Sequence, residues 1–292
     1  MLTTTEQLLQ QFKALADPVR ARLVMLCSLG ECSVSELTGV TSLSQPRVSQ
    51  HVKQLCDVGL MERFRDGHYV YYRVPVRGSS LQRRLLALLP DDEPQFRRDF
   101  EKLKSLRAAT GARAEVRVNE ADRSLHRALV ELTVVAPLGD LLDVGCGQGR
   151  ILKLLASRAQ RAVGVDIDSD ARRLARAELL LAGLPNCSLR QGSMYSLPFG
   201  DEEFDTIILD DVLGEAEQPD AALAEAQRLL RPGGRLVLLS RYDGETVASG
   251  EQQLSSWSAA AGLRLAKPRR IPARNPNWLL AVATRGAESE AA

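Results

Sequence analysis

The sequence lacks the features that mark membrane-spanning proteins and disulfide-bonded secreted proteins. No run reaches the ~18 apolar residues that a membrane span requires, and the first six residues lack the basic and apolar regions of a secretion signal. The five cysteines are odd in number, scattered along the chain and never in CxxC spacing. We therefore expect a cytoplasmic protein with reduced thiols, without a disulfide framework or a zinc knuckle.

An excess of positive charge and a cluster of histidines are absent as well. Lys and Arg number 38 against 37 Asp and Glu, and this net charge of +1 excludes a globally basic nucleic-acid-binding protein. Any contact with nucleic acid must then come from a local patch. The three histidines, His51, His68 and His126, lie far apart in the sequence and none belongs to a metal-ligand motif, so we expect no metal site.

The length and composition predict a multidomain globular protein. The 292 residues exceed the usual size of one domain, and 45% apolar with 26% charged residues is a globular composition. The residue pattern changes along the chain and predicts four segments. These are an N-terminal domain over 1–90, a charged linker over 91–120, a second domain over 121–286 and a tail over 287–292.

The N-terminal pattern predicts short helices with recognisable first turns. Asp17-Pro18 is an N-cap followed by a proline at the first helical position, and Ser33 with Glu36 forms a possible capping box for the next helix. Ser44 caps a third helix. Its buried face is predicted to consist of Val48, Val52 and Leu55.

A β-hairpin is predicted after the third helix, with arms over 60–65 and 68–74. Asp66-Gly67 between the arms is a strong hairpin signal, because both turn residues must accept positive φ. Helices with a tight turn followed by a hairpin are the layout of an α+β winged helix-turn-helix, in which the third helix enters the DNA major groove.

Side chains that donate hydrogen bonds remain on the exposed faces of the third helix and around the hairpin tip. Between Ser44 and Arg77 there are six basic and three acidic residues, a local balance of +3. Such side chains suit base edges and phosphates, although the pattern alone also fits a solvated charged face of a small helical domain. The predicted DNA-contacting residues are Ser44, Gln45, Arg47, Ser49, Gln50, Lys53, Arg63, Arg65 and His68.

Three stretches of this region carry the motifs of a known family. They are Leu15 to Arg20, Ser44 to Val52 with Leu55 and Gly59-Leu60, and Arg65-Asp66-Gly67 with Tyr71-Tyr72. On these residues the region resembles the arsenical-resistance-repressor (ArsR/SmtB-like) family over about residues 8–76. The resemblance implies a homodimeric transcriptional regulator that binds double-stranded operator DNA of two-fold symmetry through the third helix and the hairpin, or wing.

The sequence departs from the metal sensors of that family. They hold Cys-Val-Cys on the helix before the recognition helix, where this sequence has Ser33-Val34-Ser35 with only Cys32 adjacent. A single thiolate cannot form the multi-sulfur site that soft metals require, so we do not expect metal sensing there.

From residue 139 onward, strands and helices alternate, which predicts an α/β, Rossmann-like domain with a mostly parallel sheet. Gly145, Gly147 and Gly149 lie between a strand and a helix, where the backbone can approach a ligand and amides can face an anion. Asp166, near the end of the next strand, can accept both ribose hydroxyls of a nucleoside. Arg150 stands where the dinucleotide fingerprint requires a third glycine, which disfavours NAD and FAD. A tight turn in an unliganded sheet is the alternative.

Further motifs follow one another in this part of the chain. They are Asp143 to Gly149, Val165-Asp166-Ile167, Ser196 to Phe199 with Phe204-Asp205, and Leu230 to Leu236. On these stretches the run from Asp140 to Arg285 resembles class I S-adenosylmethionine-dependent methyltransferases. The resemblance implies S-adenosylmethionine or S-adenosylhomocysteine as the ligand. It places the methionine carboxylate at the glycine loop and the amino group near Asp143. The ribose is then expected at Asp166 and the adenine beside Ser193 and Met194, with Asp210 at the floor of the pocket. The predicted cofactor-binding residues are Asp143, Gly145, Gly147, Gly149, Asp166, Ile167, Ser193, Met194 and Asp210.

The reaction, if any, is left open by the sequence. DNA methylation is disfavoured, because the stretch Asp210 to Gly214 lacks the Asn-Pro-Pro-Tyr motif of amino-methylating enzymes and no Pro-Cys nucleophile is present. Methyl transfer depends mainly on alignment, so the lack of an evident general base does not decide whether the chain is an active enzyme.

We predict a DNA-binding regulator whose operator binding responds to the nucleoside. The alternative is an active small-molecule methyltransferase with an autoregulatory DNA-binding domain, and no catalytic residue is predicted for it.

Overall fold

The structure, a computed structural model, describes residues 5–90, 92–111, 120–242, 246–272 and 277–285. The chain divides into two units, Met1–Ala114 with Arg176–Ser188 and Glu115–Ala175 with Leu189–Ala292. The predicted tail over 287–292 lies outside the described residues. Within the described ranges, no helix combines the length and the apolar character needed to cross a membrane.

The first unit opens with helices whose caps agree with the sequence prediction. Asp17 accepts a hydrogen bond from the Arg20 amide at 2.9 Å, and Ser33 and Glu36 form both bonds of the capping box. Ser44 is the N-cap residue of the fourth helix but makes no side-chain cap bond. The elements are α1 (Thr5–Leu15), α2 (Pro18–Ser28), β1 (Cys32–Ser33), α3 (Val34–Thr41) and α4 (Gln45–Asp57).

The hairpin consists of β2 (Glu62–Asp66) and β3 (Tyr69–Arg73), and β3 also pairs with β1 in a three-stranded antiparallel sheet. The predicted turn was wrong by one residue. Asp66 pairs with Tyr69 at the end of β2, and the turn is Gly67-His68, with a φ of +59° at Gly67. The cause is burial, because the Asp66 side chain is only 3% exposed in an ion pair and therefore stays in the strand.

Two further helices, α5 (Ser80–Leu86) and α6 (Pro94–Gly111), complete this part of the chain. Most of the stretch predicted as a charged linker over 91–120 is therefore helical. Leu103 of α6 is fully buried in the same apolar cluster as the predicted stripe of α4, which explains why the segment folds onto the unit. The stripe residues Val48, Val52 and Leu55 are all 0% exposed, as predicted.

The second unit is an α/β domain in which strands and helices alternate, as the sequence pattern predicted. Helix α9 begins in this unit, and its last residues, from Arg176, belong to the first. The elements are α7 (Glu120–Val135), β4 (Asp140–Val144), α8 (Arg150–Leu155), β5 (Arg161–Asp166), α9 (Ser169–Leu181), β6 (Cys187–Gln191), β7 (Phe204–Asp210), α10 (Pro219–Leu229), β8 (Leu230–Arg241), α11 (Val247–Ala260), β9 (Leu263–Leu265), β10 (Arg269–Ile271) and β11 (Trp278–Arg285).

The sheet is mostly parallel, as the alternating pattern predicted. Its strand order is β10-β11-β8-β7-β4-β5-β6, with β9 pairing to β11. Strands β4, β5, β7 and β8 run parallel, whereas β11 is antiparallel to β8. Every residue of β4 is buried, which is typical of a central strand covered on both faces. The carboxyl ends of β4, β5 and β7 meet at one edge of the sheet, where ligands bind in folds of this kind.

Candidate functional site

The first candidate site is the outer face of α4 together with the hairpin. Three side chains of α4 point into the core, which leaves the polar side chains of the helix on its other faces. Residues on β2 alternate, so that the arginines at 63 and 65 face solvent. Eight of the nine predicted DNA-contacting residues are exposed and Ser49 is half-buried. The exposed ones are Ser44, Gln45, Arg47, Gln50, Lys53, Arg63, Arg65 and His68.

The second candidate site is the glycine loop after β4. Gly145, Gly147 and Gly149 have φ values of +75°, +50° and +78°, which favour glycine at all three positions. A Cβ atom on Gly145 would lie 2.1 Å from Cγ1 of Val212, so only glycine fits there. A Cβ atom on Gly147 would meet nothing within 4 Å, so this turn faces open space. The loop is thus shaped for close approach of another group.

Asp166, the predicted ribose-binding residue, lies at the end of β5 and is bonded to this loop. Its Oδ2 accepts a hydrogen bond from the Gly147 amide at 2.7 Å, and its Oδ1 accepts one from the Asp168 amide at 2.8 Å. Its carbonyl oxygen accepts from Nη1 of Arg172 at 2.8 Å and from the Gly192 amide at 3.3 Å. The carboxylate is therefore held in one orientation beside the glycine loop, while the neighbouring Ile167 is 73% exposed.

Asp143 is the most unusual residue of the site. It lies in β4 and is 0% exposed, yet neither carboxylate oxygen has a hydrogen-bond partner in the described part of the chain. Burial, and next the negative charge of Asp210, raise the pKa of this carboxyl well above its usual range. Buried polar groups are nearly always hydrogen-bonded, so both oxygens keep unused capacity to accept hydrogen bonds.

Asp210, at the end of β7, is paired with Arg150, the first residue of α8. Nη2 of Arg150 lies 3.1 Å and 3.3 Å from the two carboxylate oxygens. Burial raises the pKa of Asp210, and the Arg150 guanidinium opposes this rise. The carboxyl end of β7 is therefore joined to the start of α8 by an ion pair.

Two residues near this pair were missed by the sequence analysis as site residues. His126 of α7 lies 3.4 Å from Nη1 of Arg150, and the Trp278 ring centroid lies 5.3 Å from the Arg150 guanidinium carbon. Burial, and next the charge of Arg150, lower the pKa of His126. Arg150 itself had a sequence signal, because it directly follows the glycine loop, but no spacing or motif could have joined His126 to it.

The residues predicted beside the adenine lie in the turn after β6. Gly192 links this turn to Asp166 through its amide, and Ser193 is exposed while Met194 packs partly on the core. Tyr195, which was not predicted, fixes the turn, because its hydroxyl accepts hydrogen bonds from the Glu217 and Gln218 amides at 2.9 Å and 3.4 Å. The structure therefore gathers the glycine loop, Asp143, Asp166, Asp210 and the turn at Ser193 at one edge of the sheet.

Comparison with known families assigns both parts of the chain. Residues 17–63 match the family described as bacterial regulatory protein, arsR family, and residues 142–238 match the family described as methyltransferase domain. The first match ends within β2 and the second spans β4 to β8. Both families that the sequence motifs resemble are therefore confirmed.

Individual relatives resemble one part of the chain at a time. The arsenic resistance transcriptional regulator ArsR1 of Pseudomonas putida is 47% identical over 64 residues, which cover 22% of this chain and 50% of that protein. Nocamycin O-methyltransferase of Saccharothrix syringae is 35% identical over 144 residues, which cover 48% of each chain. The chain spans about half the length or less of the curated relatives it matches.

A solved structure supports the fold of the second unit. The N-methyltransferase NodS of Bradyrhizobium japonicum, in complex with S-adenosyl-L-homocysteine, aligns with a TM-score of 0.51 and 20% identity. The alignment covers 63% of this chain and 99% of that chain. At this identity the similarity establishes a methyltransferase-like fold and nothing more specific.

Proposed function

We propose that this chain, in which an arsR-family helix-turn-helix region precedes a methyltransferase domain, is a transcriptional regulator that responds to a nucleoside. In this proposal the α4 face and the hairpin bind operator DNA, and the second unit binds S-adenosylmethionine or S-adenosylhomocysteine. Occupancy of the second unit then changes the affinity of the first for the operator.

The observation that supports this ligand most directly is the buried, unpartnered carboxylate of Asp143 beside the glycine loop. The ligand's ammonium group supplies the N–H donors that Asp143 lacks, and charge-assisted bonds of this kind are strong. Asp166 keeps acceptor capacity for ribose hydroxyls, since each of its oxygens accepts one backbone bond in the structure. The donor and acceptor set therefore fits an amino-acid-bearing nucleoside.

The floor of the pocket favours a binding role over methyl transfer. When S-adenosylmethionine is bound, its sulfonium supplies an activated methyl group, and a transferase must align a nucleophile with it. At the end of β7, however, Asp210 is engaged by Arg150, and the residues that follow lack a known acceptor motif. These chain residues hold a pocket together but do not identify a place for a methyl acceptor.

Regulation requires that the nucleoside bind one DNA-binding state of the protein better than the other. By linkage, operator DNA must then change the nucleoside affinity by the same factor. A coupling free energy of ~1.4 kcal/mol corresponds to a tenfold change in either affinity. Both affinities can be measured on the full chain, so the proposal makes a reciprocal prediction.

The test begins with a duplex selected by the full chain from a random-sequence pool. Calorimetry measures the affinities for S-adenosylmethionine, S-adenosylhomocysteine and adenosine, the last as a control that lacks the amino-acid part. Fluorescence anisotropy then measures operator affinity without nucleoside and at saturation with each one. We expect one of the two amino-acid-bearing nucleosides to change operator affinity severalfold, and adenosine to have little effect.

Equal operator affinity under all conditions would contradict the regulatory proposal. Robust methyl transfer to a small metabolite, in a labelled-methyl assay with fractionated cell extract, would instead support the alternative of an active methyltransferase that regulates its own gene. We further propose that the operator-binding form is a homodimer, which light scattering on the protein–DNA complex tests by its mass.

A further inference from the structure

A buried ionic cluster lies beneath the hairpin of the first unit. Nε of Arg176 donates to Oε2 of Glu31 at 2.8 Å, and Nη2 of Arg176 lies 2.7 Å from Oδ2 of Asp66. The three side chains are 3% to 5% exposed. A single guanidinium therefore joins two carboxylates that are far apart in the sequence, and solvent barely reaches the group.

This one side chain contacts two strands of the three-stranded sheet and the residue that precedes the third. Glu31 directly precedes β1, and Asp66 is the last residue of β2. The guanidinium carbon of Arg176 also lies 3.8 Å from the ring centroid of Tyr71 in β3, the central strand. Arg107 of α6 in turn donates to the carbonyl oxygen of Arg176 at 3.0 Å, which fixes the backbone of α9 at that point. The backbone of Arg176 is thus fixed by Arg107, while its side chain contacts the hairpin at Asp66.

Arginine is the residue type that this arrangement requires. Its planar fork can bond two carboxylates and stack on an aromatic ring at the same time, whereas lysine is a point charge on a flexible stem. Asp66 lies between Arg65 and the turn that contains His68, both exposed and both predicted to contact DNA. Fixing Asp66 therefore fixes the direction in which the neighbouring basic side chains point.

We propose that Arg176 is a positioning residue for operator binding, because it sets the hairpin through Asp66 and Glu31. A freely moving hairpin would have to be ordered when DNA binds, and this ordering would weaken the complex. Arg176 removes that cost before binding. It does not itself contact the DNA in this proposal.

The test needs no nucleoside and compares Arg176→Gln with Arg173→Gln. Arg173 lies in the same helix, is 44% exposed and pairs only locally with Asp170, so its variant removes the same charge without touching the cluster. Operator affinity is measured by anisotropy over a range of salt concentrations. The slope of log K against log salt is negative, and each phosphate contact that is lost makes it less steep by about 0.9.

We expect Arg176→Gln to weaken operator binding at least fivefold. The salt dependence should become less steep by about 1 to 2, because the contacts of one or two hairpin side chains are lost. Arg173→Gln should keep the wild-type slope. Arg176→Lys should not restore it, because lysine cannot bond both carboxylates. A wild-type affinity and slope in Arg176→Gln would overturn the proposal.

A second variant guards against misfolding, because removing one charge of a buried group leaves the others uncompensated. The triple change Glu31→Gln, Asp66→Asn and Arg176→Met removes these three charges together. Arg73, whose Nη1 lies 3.8 Å from Oε1 of Glu31, keeps its ion pair with Glu62. Circular dichroism and calorimetric nucleoside binding verify its fold. If this folded variant binds the operator with the wild-type affinity and salt slope, the positioning role is refuted.

Discussion

Substitution of Asp143 by asparagine should change stability and ligand binding in opposite directions. The carboxyl is fully buried without a hydrogen-bond partner in the described chain, and burial with the nearby Asp210 raises its pKa. An acid whose pKa is higher in the folded state binds its proton more tightly there, so its ionisation destabilises the fold as pH rises above the unfolded value near 3.9. At neutral pH this destabilisation is present, and asparagine removes it.

Asparagine is also a buried polar group without a partner, so the gain is the extra cost of the charge alone, which we take as about 1–3 kcal/mol. For a unit of this size each kcal/mol shifts Tm by about 2–4 °C, so the unliganded variant should melt about 2–12 °C higher. Ligand binding should weaken about 10- to 100-fold, because a charge-assisted bond worth about 1.5–3 kcal/mol is lost.

The assay is thermal denaturation of the unliganded protein at several pH values, together with calorimetric titration of S-adenosylhomocysteine. Asp220→Asn is the control, since Asp220 is an exposed carboxylate of the same unit and surface changes usually stay within about 0.5 kcal/mol. The stabilisation by Asp143→Asn should shrink as pH falls toward 4. A lower Tm in the variant, or an unchanged ligand affinity, would refute the reasoning.

Two other substitutions separate the two sites, and a third tests the packing of the glycine loop. Arg47→Ala should weaken operator binding by about 1–3 kcal/mol in anisotropy if Arg47 reads a base, and should leave nucleoside affinity unchanged in calorimetry. Asp166→Ala should abolish nucleoside binding and keep the operator affinity measured without ligand; loss of both in either variant would show that the sites are not separable. Gly145→Ala should lower Tm and reduce the unfolding free energy by about 1–3 kcal/mol, because the added Cβ would clash with Val212 and the φ of +75° disfavours alanine. An unchanged melting curve would contradict the tight packing.

Features set by neighbouring residues were predictable from the sequence. The caps at Asp17 and Ser33 depend on bonds within three residues, and the buried stripe of α4 depends on helical spacing alone. The glycine loop and Asp166 belong to the same class, because each follows a strand with a recognisable apolar run. The hydrogen bond between Gly147 and Asp166 in the structure agrees with that local reading.

Features set by distant residues were not predictable. The hairpin turn shifted because Asp66 is buried against Arg176, which no pattern around residue 66 could reveal. Residues 78–108 were predicted to be helical, but the break at Asp91 to Pro94 placed a linker after it, and no local pattern showed that Leu103 of α6 is fully buried in the apolar cluster of the first unit. The pairing of Arg150 with Asp210 and its contact with His126 likewise join positions with no common spacing.

The bonds of Asp166 to the backbone have a consequence for how the loop recognises small molecules. Both carboxylate oxygens already accept hydrogen bonds from backbone amides, and one of these amides belongs to the glycine loop itself. The loop therefore has its final conformation before a small molecule binds. Little main-chain entropy is then lost on docking, which preserves affinity. Removing this carboxylate would also leave the glycine loop less ordered, so even ligands without a sugar, such as free methionine, would bind to it less tightly.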